Sequence, residues 1–151
     1  MIKYDGYAIT FSEVPDEVSI CINITNCQGN CKGCHSPHLR ENIGEDLEAD
    51  LPKILEDNKE NATCVCFMGE GNDPYALGKC ILMAKLAGYK TCLYSGRNDV
   101  TIAYRYSLDY IKYGEYIEEK GGLNQETTNQ RFSQIKHFPV DMTYRFRRRP
   151  Y

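Results

Sequence analysis

The sequence has no run of apolar residues long enough to span a bilayer. It also has no basic-then-apolar leader at its start, where Asp5 and Glu13 interrupt the pattern early. Together these absences make the cytoplasm the expected location and leave no membrane among the expected partners. There is little excess of either charge. A formal net charge of −3 over 151 residues gives no whole-molecule attraction to nucleic acid or to an anionic surface. Internal repeats and low-complexity tracts are missing too, which excludes a solenoid or a long disordered linker. What remains is 42% hydrophobic and 26% charged, the composition of a globular chain long enough to bury one core and too short for two comfortable ones.

Eight cysteines are the conspicuous presence. In an exported chain of this size an even count suggests a disulfide framework. Here the leader is lacking and the cysteines are clustered, so a reducing compartment with one metal site fits better. Three fall within Cys27–Cys34, Cys80 lies in a predicted helix, and Cys21, Cys64, Cys66 and Cys92 sit in apolar, strand-like runs. Cys64 and Cys66 alternate and so share a strand face. With Cys21 and Cys92 they fit no iron–sulfur spacing, and they read as small buried hydrophobes.

Residues 17–24, rich in β-branched side chains, predict a strand that runs into the cysteine cluster. Residues 25–44 are polar and glycine-containing and predict a loop. Leu51, Ile54 and Leu55 recur at helical spacing behind Asp50 and Pro52, which predicts a short helix ending near Asn58. The apolar run Thr63–Met68 predicts a buried strand that stops at Gly69-Glu70-Gly71. Asp73-Pro74 then opens the clearest helix, with an apolar face of Leu77, Cys80, Ile81, Ala84 and Ala87 closed by Gly88. Lys90–Tyr94 is a third predicted strand, ending at Ser95-Gly96, and a weaker helix covers roughly residues 99–107.

This strand–loop–helix rhythm predicts an α/β protein with a mostly parallel sheet. In such folds ligands bind at the carboxyl ends of the strands, where the cysteine loop, the Gly69-Glu70-Gly71 loop and the Ser95-Gly96 loop all fall. Residues 109–117 predict a C-terminal edge strand or hairpin around Gly114, residues 119–130 a polar loop, and residues 131–135 a last short strand. One domain over residues 1–143 is expected, followed by a mobile, solvated basic tail over residues 144–151.

Cys27-Gln-Gly-Asn-Cys31-Lys-Gly-Cys34 supplies three thiolates in eight residues, and Gly29 and Gly33 let the loop wrap tightly. Three thiolates are one short of a closed tetrahedral zinc site and one short of a fully protein-held 4Fe-4S cluster. With His35 or His38 as fourth ligand, the set makes a structural Cys3His zinc site. Without one, it leaves an open iron at which a substrate can bind.

The spacing Cys-x3-Cys-x2-Cys after a first strand resembles that of the radical S-adenosylmethionine (SAM) superfamily. Met68-Gly69-Glu70-Gly71 resembles that family's Gly-Gly-Glu segment after the next strand, with Met68 in place of the first glycine. Cys34-His35-Ser36-Pro37, the stretch from Asp109 through Gly114 to Glu119, and Asn129-Gln130-Arg131 resemble the anaerobic ribonucleoside-triphosphate reductase activating proteins in particular. The resemblance covers most of the chain, from about Ser19 to Ile135.

The resemblance implies a small incomplete (β/α) barrel with two cofactors, a 4Fe-4S cluster and SAM. It implies reductive cleavage of SAM to a 5′-deoxyadenosyl radical, which removes a hydrogen from one glycine Cα of the reductase. The implied partners are that glycyl radical protein and an electron donor such as a flavodoxin or ferredoxin. Cys27, Cys31 and Cys34 are the implied cluster ligands. Gly33 and His35 are implied to lie against the adenine, and Gly69 and Glu70 to meet the methionyl end, with Ser95 and Asn98 as candidates for the ribose or carboxylate. Lys32 stands where many superfamily members carry an aromatic residue, and His35 offers a ring one position after the last cysteine. Within the same chemistry, the alternative is a small-molecule enzyme of the 7-carboxy-7-deazaguanine synthase type; outside it, the alternative is the non-catalytic zinc module.

Overall fold

The structure, a computed structural model, describes residues 1–28 and 37–147. Of the expected site residues, Cys31, Gly33, Cys34 and His35 lie outside the described residues, as does the end of the basic tail. The strands are β1 (Lys3–Thr10), β2 (Ser19–Ile24), β3 (Glu45–Asp46), β4 (Cys64–Met68), β5 (Lys90–Tyr94), β6 (Tyr110–Tyr113), β7 (Arg131–Ile135) and β8 (Pro139–Asp141). The helices are α1 (Leu47–Asp57), α2 (Pro74–Leu86) and α3 (Ile102–Arg105).

All eight strands form one sheet in the order β3-β1-β2-β4-β5-β6-β7-β8. The centre, β2-β4-β5-β6, is parallel and in sequence order. Right-handed crossovers that always add the next strand on the same side deposit α1, α2 and α3 on one face. Antiparallel strands flank this centre: β1 and β3 on one side, β7 and β8 on the other. The sheet is therefore mixed rather than mostly parallel, with three parallel pairings against four antiparallel ones. The difference arises at the two ends of the chain. Residues 3–10 form a strand that the sequence pattern does not announce. Tyr110–Tyr113 is not at an edge, because it pairs with β5 on one side and β7 on the other.

Side chains alternate between two cores, as a strand period of two requires. Ile20, Ile22, Ile24, Val65, Phe67, Leu93 and Ile111 face the helices, where Leu47, Leu51, Leu77, Cys80, Ile81 and Ala103 meet them. On the opposite face lie Cys21, Cys64, Cys66, Cys92, Tyr110 and Phe132, covered by Val14, Leu123 and Met142. Burial on both faces explains why β4 reads as a continuous apolar run.

Helix ends follow their local chemistry. The Asp73 carboxylate accepts from the Ala76 amide at 3.0 Å, Pro74 opens α2, and Gly88, at φ +94°, follows its end. α1 begins four residues before the expected Leu51. Asp46 caps it through the Glu48 amide at 3.1 Å, and the gain from burying Leu47 outweighs the hydrogen bond that Pro52 removes inside the helix. The first residues of the expected tail are held: Thr143–Phe146 is a short 3-10 helix, the Arg145 guanidinium donates to both Asp16 carboxylate oxygens at 2.8 and 3.1 Å, and Phe146 packs on Phe132. No helix among the described residues is long and apolar enough to cross a membrane.

Candidate functional site

The carboxyl ends of β2, β4 and β5 carry the candidate residues. After β2 the chain is pinned at every step. The Thr25 amide donates to the Lys3 carbonyl at 3.0 Å, the Asn26 amide to Glu41 at 3.2 Å and the Cys27 amide to Leu39 at 3.0 Å. The Thr25 hydroxyl donates to the Ile43 carbonyl at 2.8 Å. Asn26 takes a positive φ of 58°, a conformation to which asparagine is suited, and this turns the chain out of the sheet just before Cys27. The cysteine loop thus has a closed base whose first thiol, Cys27, sits at the exit of β2.

Gly69 and Gly71 both have positive φ, and a Cβ on Gly71 would come within 3.0 Å of Ile24 Cγ2 and 3.3 Å of the Thr25 carbonyl. Only glycine there lets the loop after β4 lie against the residues leading into Cys27. That packing fixes Glu70, whose side chain is mostly buried. Its Oε2 accepts from the Ser95 hydroxyl at 2.7 Å, and Arg97 Nε donates to its Oε1 at 3.0 Å. Ser95 is fully buried, and its Oγ also accepts from the Arg97 amide at 3.0 Å. The Ser95 carbonyl accepts from Lys112 Nζ at 3.2 Å.

The structure therefore brings Glu70 and Ser95 together across two parallel strands and keeps Cys27 and Gly69 at the same rim. Asn98 is elsewhere: its Oδ1 accepts from the Glu115 amide at 3.1 Å, and Asn129 Nδ2 donates to the Glu115 carbonyl at 3.1 Å. These two asparagines hold the amide and the carbonyl of one residue, Glu115, at the β6 exit. Sequence reasoning missed Arg97 and Lys112. Arg97 lies two residues from Ser95 in the same loop, but an exposed arginine in a loop carries no signal until its carboxylate partner is known.

Beside this cluster, Arg97, Asp99, Thr101, Ile102 and Arg105 line an open cavity of about 140 Å³. The Asp99 carboxylate is occupied by the Thr101 amide and hydroxyl, which hold it below its ordinary pKa. With Glu70 on Arg97, the charges around the cavity balance.

The cysteines on the opposite face form a row. Cys21, Cys66 and Cys92 are in register across β2, β4 and β5, and the Cys66 thiol donates to Met68 Sδ at 3.5 Å. Burial pushes the Cys64 thiol up to about 12 and the Cys66 and Cys92 thiols upward. The contact with Cys66, then burial, raises Cys21. Neutral, buried thiols are unreactive and pack as small hydrophobes. Among the described residues no group of three or more His, Cys, Asp or Glu is arranged to hold a metal ion. His38 is exposed, with Nε2 4.0 Å from Asp5. Compared with family models, curated proteins and solved structures, the chain matches none.

Proposed function

We propose that this chain is a radical SAM activating enzyme that generates a glycyl radical on an anaerobic ribonucleoside-triphosphate reductase in the cytoplasm. A convergence carries this reading. Cys27, the first residue of the Cys-x3-Cys-x2-Cys triplet, leaves β2 at the same rim where Glu70 leaves β4 and Ser95 leaves β5. The donor set, three thiolates, suits a 4Fe-4S cluster with one open iron, and Cys27, Cys31 and Cys34 would hold it. When bound, the cluster and SAM supply the electron and the hydrogen-abstracting radical.

The chain's own residues supply position and charge. Glu70 presents a carboxylate, held by Ser95 and Arg97, to which an amino group such as that of SAM can bind. Arg97, exposed on its far side, can exchange part of its pairing for a ligand carboxylate. An open sheet leaves the rim accessible to a loop of the reductase, and a flavodoxin or ferredoxin delivers the electron.

Anaerobic iron–sulfur reconstitution and EPR of the reduced protein test the proposal. The expected result is a reduced 4Fe-4S signal that changes when SAM is added and is lost in Cys31→Ala, followed by a glycyl radical signal on incubation with the reductase. Tight zinc binding with no iron uptake and no SAM effect would leave the Cys3His module. A SAM-responsive cluster that never produces the glycyl radical would favour a small-molecule substrate.

A further inference from the structure

The loop that leaves β5 and the short α3 border the cavity lined by Arg97, Asp99, Thr101, Ile102 and Arg105. It lies at the carboxyl ends of the parallel strands, where open α/β sheets bind ligands. Its formal charges balance, but its hydrogen-bonding groups do not. Both oxygens of the Asp99 carboxylate already accept, one from the Thr101 amide at 2.9 Å and the other from the Thr101 hydroxyl at 2.7 Å. The Arg97 side chain donates only through Nε, to Glu70, and its two terminal nitrogens have no acceptor among the described residues. The Arg105 side chain is exposed and has no hydrogen bond or ion pair among the described residues. The two guanidiniums lie near one another. Tyr106, raised mainly by burial, is also raised by the Glu70 charge and lowered by those of Arg105 and Arg97, so one phenol feels all three. Ile102, itself buried, gives the wall an apolar surface against which methylene groups can lie.

We propose that this cavity binds a carboxylate between the Arg105 fork and the terminal nitrogens of Arg97, while Arg97 Nε stays on Glu70. A surplus of donors selects an acceptor, and the two coplanar oxygens of a carboxylate match the parallel N–H groups of a guanidinium. Charge makes such bonds roughly twice as strong as those to a neutral carbonyl, so a carboxylate is preferred over an amide. Asp99 stands in the wall and repels a second negative charge, so a carboxylate is also preferred over a doubly charged phosphate. The group belongs either to a small acid or to an Asp or Glu side chain of a protein partner, and the chemistry of recognition is the same for both. A bound carboxylate also pins Arg97, the side chain that holds Glu70 at the rim. The inference rests on the donors of the cavity and holds without cluster or SAM, so it stands apart from the proposed function.

Titration at constant ionic strength, followed through the arginine Nε–H signals in nitrogen–proton NMR spectra, tests it. The probes are acetate, inorganic phosphate, chloride and the blocked peptides acetyl-Gly-Glu-Gly-amide and acetyl-Gly-Gln-Gly-amide. Acetate is expected to shift the Arg97 and Arg105 signals saturably, and chloride is not. Arg105→Gln is expected to weaken acetate binding roughly tenfold with an unchanged melting temperature, since it removes one charge-assisted fork from an exposed, unpaired position. Asp99→Asn is expected to tighten it by removing the opposing charge. Arg131→Gln, whose arginine pairs with Asp141 on β8, is expected to bind like wild type. Tighter binding of the Glu peptide than of acetate assigns the carboxylate to a protein partner, and equal or weaker binding assigns it to a small acid. The absence of any saturable shift with acetate or the Glu peptide would overturn the proposal. So would a Gln peptide that binds as well as the Glu peptide, phosphate that binds more tightly than acetate, or acetate binding unaltered in Arg105→Gln.

Discussion

Replacing Glu70 by Ala removes the acceptor of the Ser95 hydroxyl at 2.7 Å and the partner of Arg97 at 3.0 Å. The two losses differ in size. Ser95 is fully buried, so water cannot replace the lost acceptor, and a hydrogen bond to a charged group is worth about 1.5–3 kcal/mol. Arg97 is 61% exposed and rehydrates, adding only about 0–1 kcal/mol. Glu70→Ala is therefore expected to cost about 2–3 kcal/mol, a fall in Tm of roughly 4–12 °C for a chain of this length. Ser95→Ala removes the same hydrogen bond but leaves the ion pair, so the double variant is expected to cost less than the sum of the singles by at least about 1.5 kcal/mol. Urea denaturation of the four proteins measures this coupling. Additivity within about 0.5 kcal/mol would show that the carboxylate and hydroxyl do not act as one unit and would remove the reason for placing Glu70 at the site.

Phe67, buried between the sheet and its helices, is expected to cost about 3–5 kcal/mol when replaced by Ala, read as a shifted denaturation midpoint with an unchanged slope. Asp141 gives a pH dependence. Burial works to raise its carboxyl, but the Thr143 hydroxyl and amide more than offset this and hold it below its ordinary value of 3.8. A depressed carboxylate contributes stability that is present above pH 3.8 and lost as pH falls through its lower folded value. Asp141→Asn should flatten that part of the acid unfolding curve, and an unchanged curve would refute the assignment. In native protein at pH 8, Cys64, Cys66 and Cys92 should resist iodoacetamide and become alkylated only in denaturant. Peptide mass mapping checks this, and labelling of Cys66 in the native state would contradict its burial.

Much of the fold was legible because it is written in short-range patterns. The β-branched run before the cysteine triplet, the apolar run at Cys64–Phe67 and the Asp73-Pro74 helix start are all where their local chemistry puts them. β1 was not legible. Its alternation of Tyr7 and Ile9 is preceded by Asp5 and by Gly6 at φ +74°, where the register shifts, so the pattern reads as irregular until β2 lies beside it. Tyr110–Tyr113 was read as an edge because a four-residue apolar run does not reveal how many neighbours it has.

For the site, the sequence determined the donor set, three closely spaced thiols after a strand, and the glycines that permit the tight loop at Gly69–Gly71. Spacing and backbone freedom are properties of neighbouring residues and need no fold to be stated. Only the tertiary structure decided that Glu70 meets Ser95 and Arg97 while Asn98 turns away to Glu115. Residues some 25 positions apart come into contact only through the parallel register of β4 on β5. That register is fixed by how both strands pack between the two cores, a property of the whole sheet rather than of either loop.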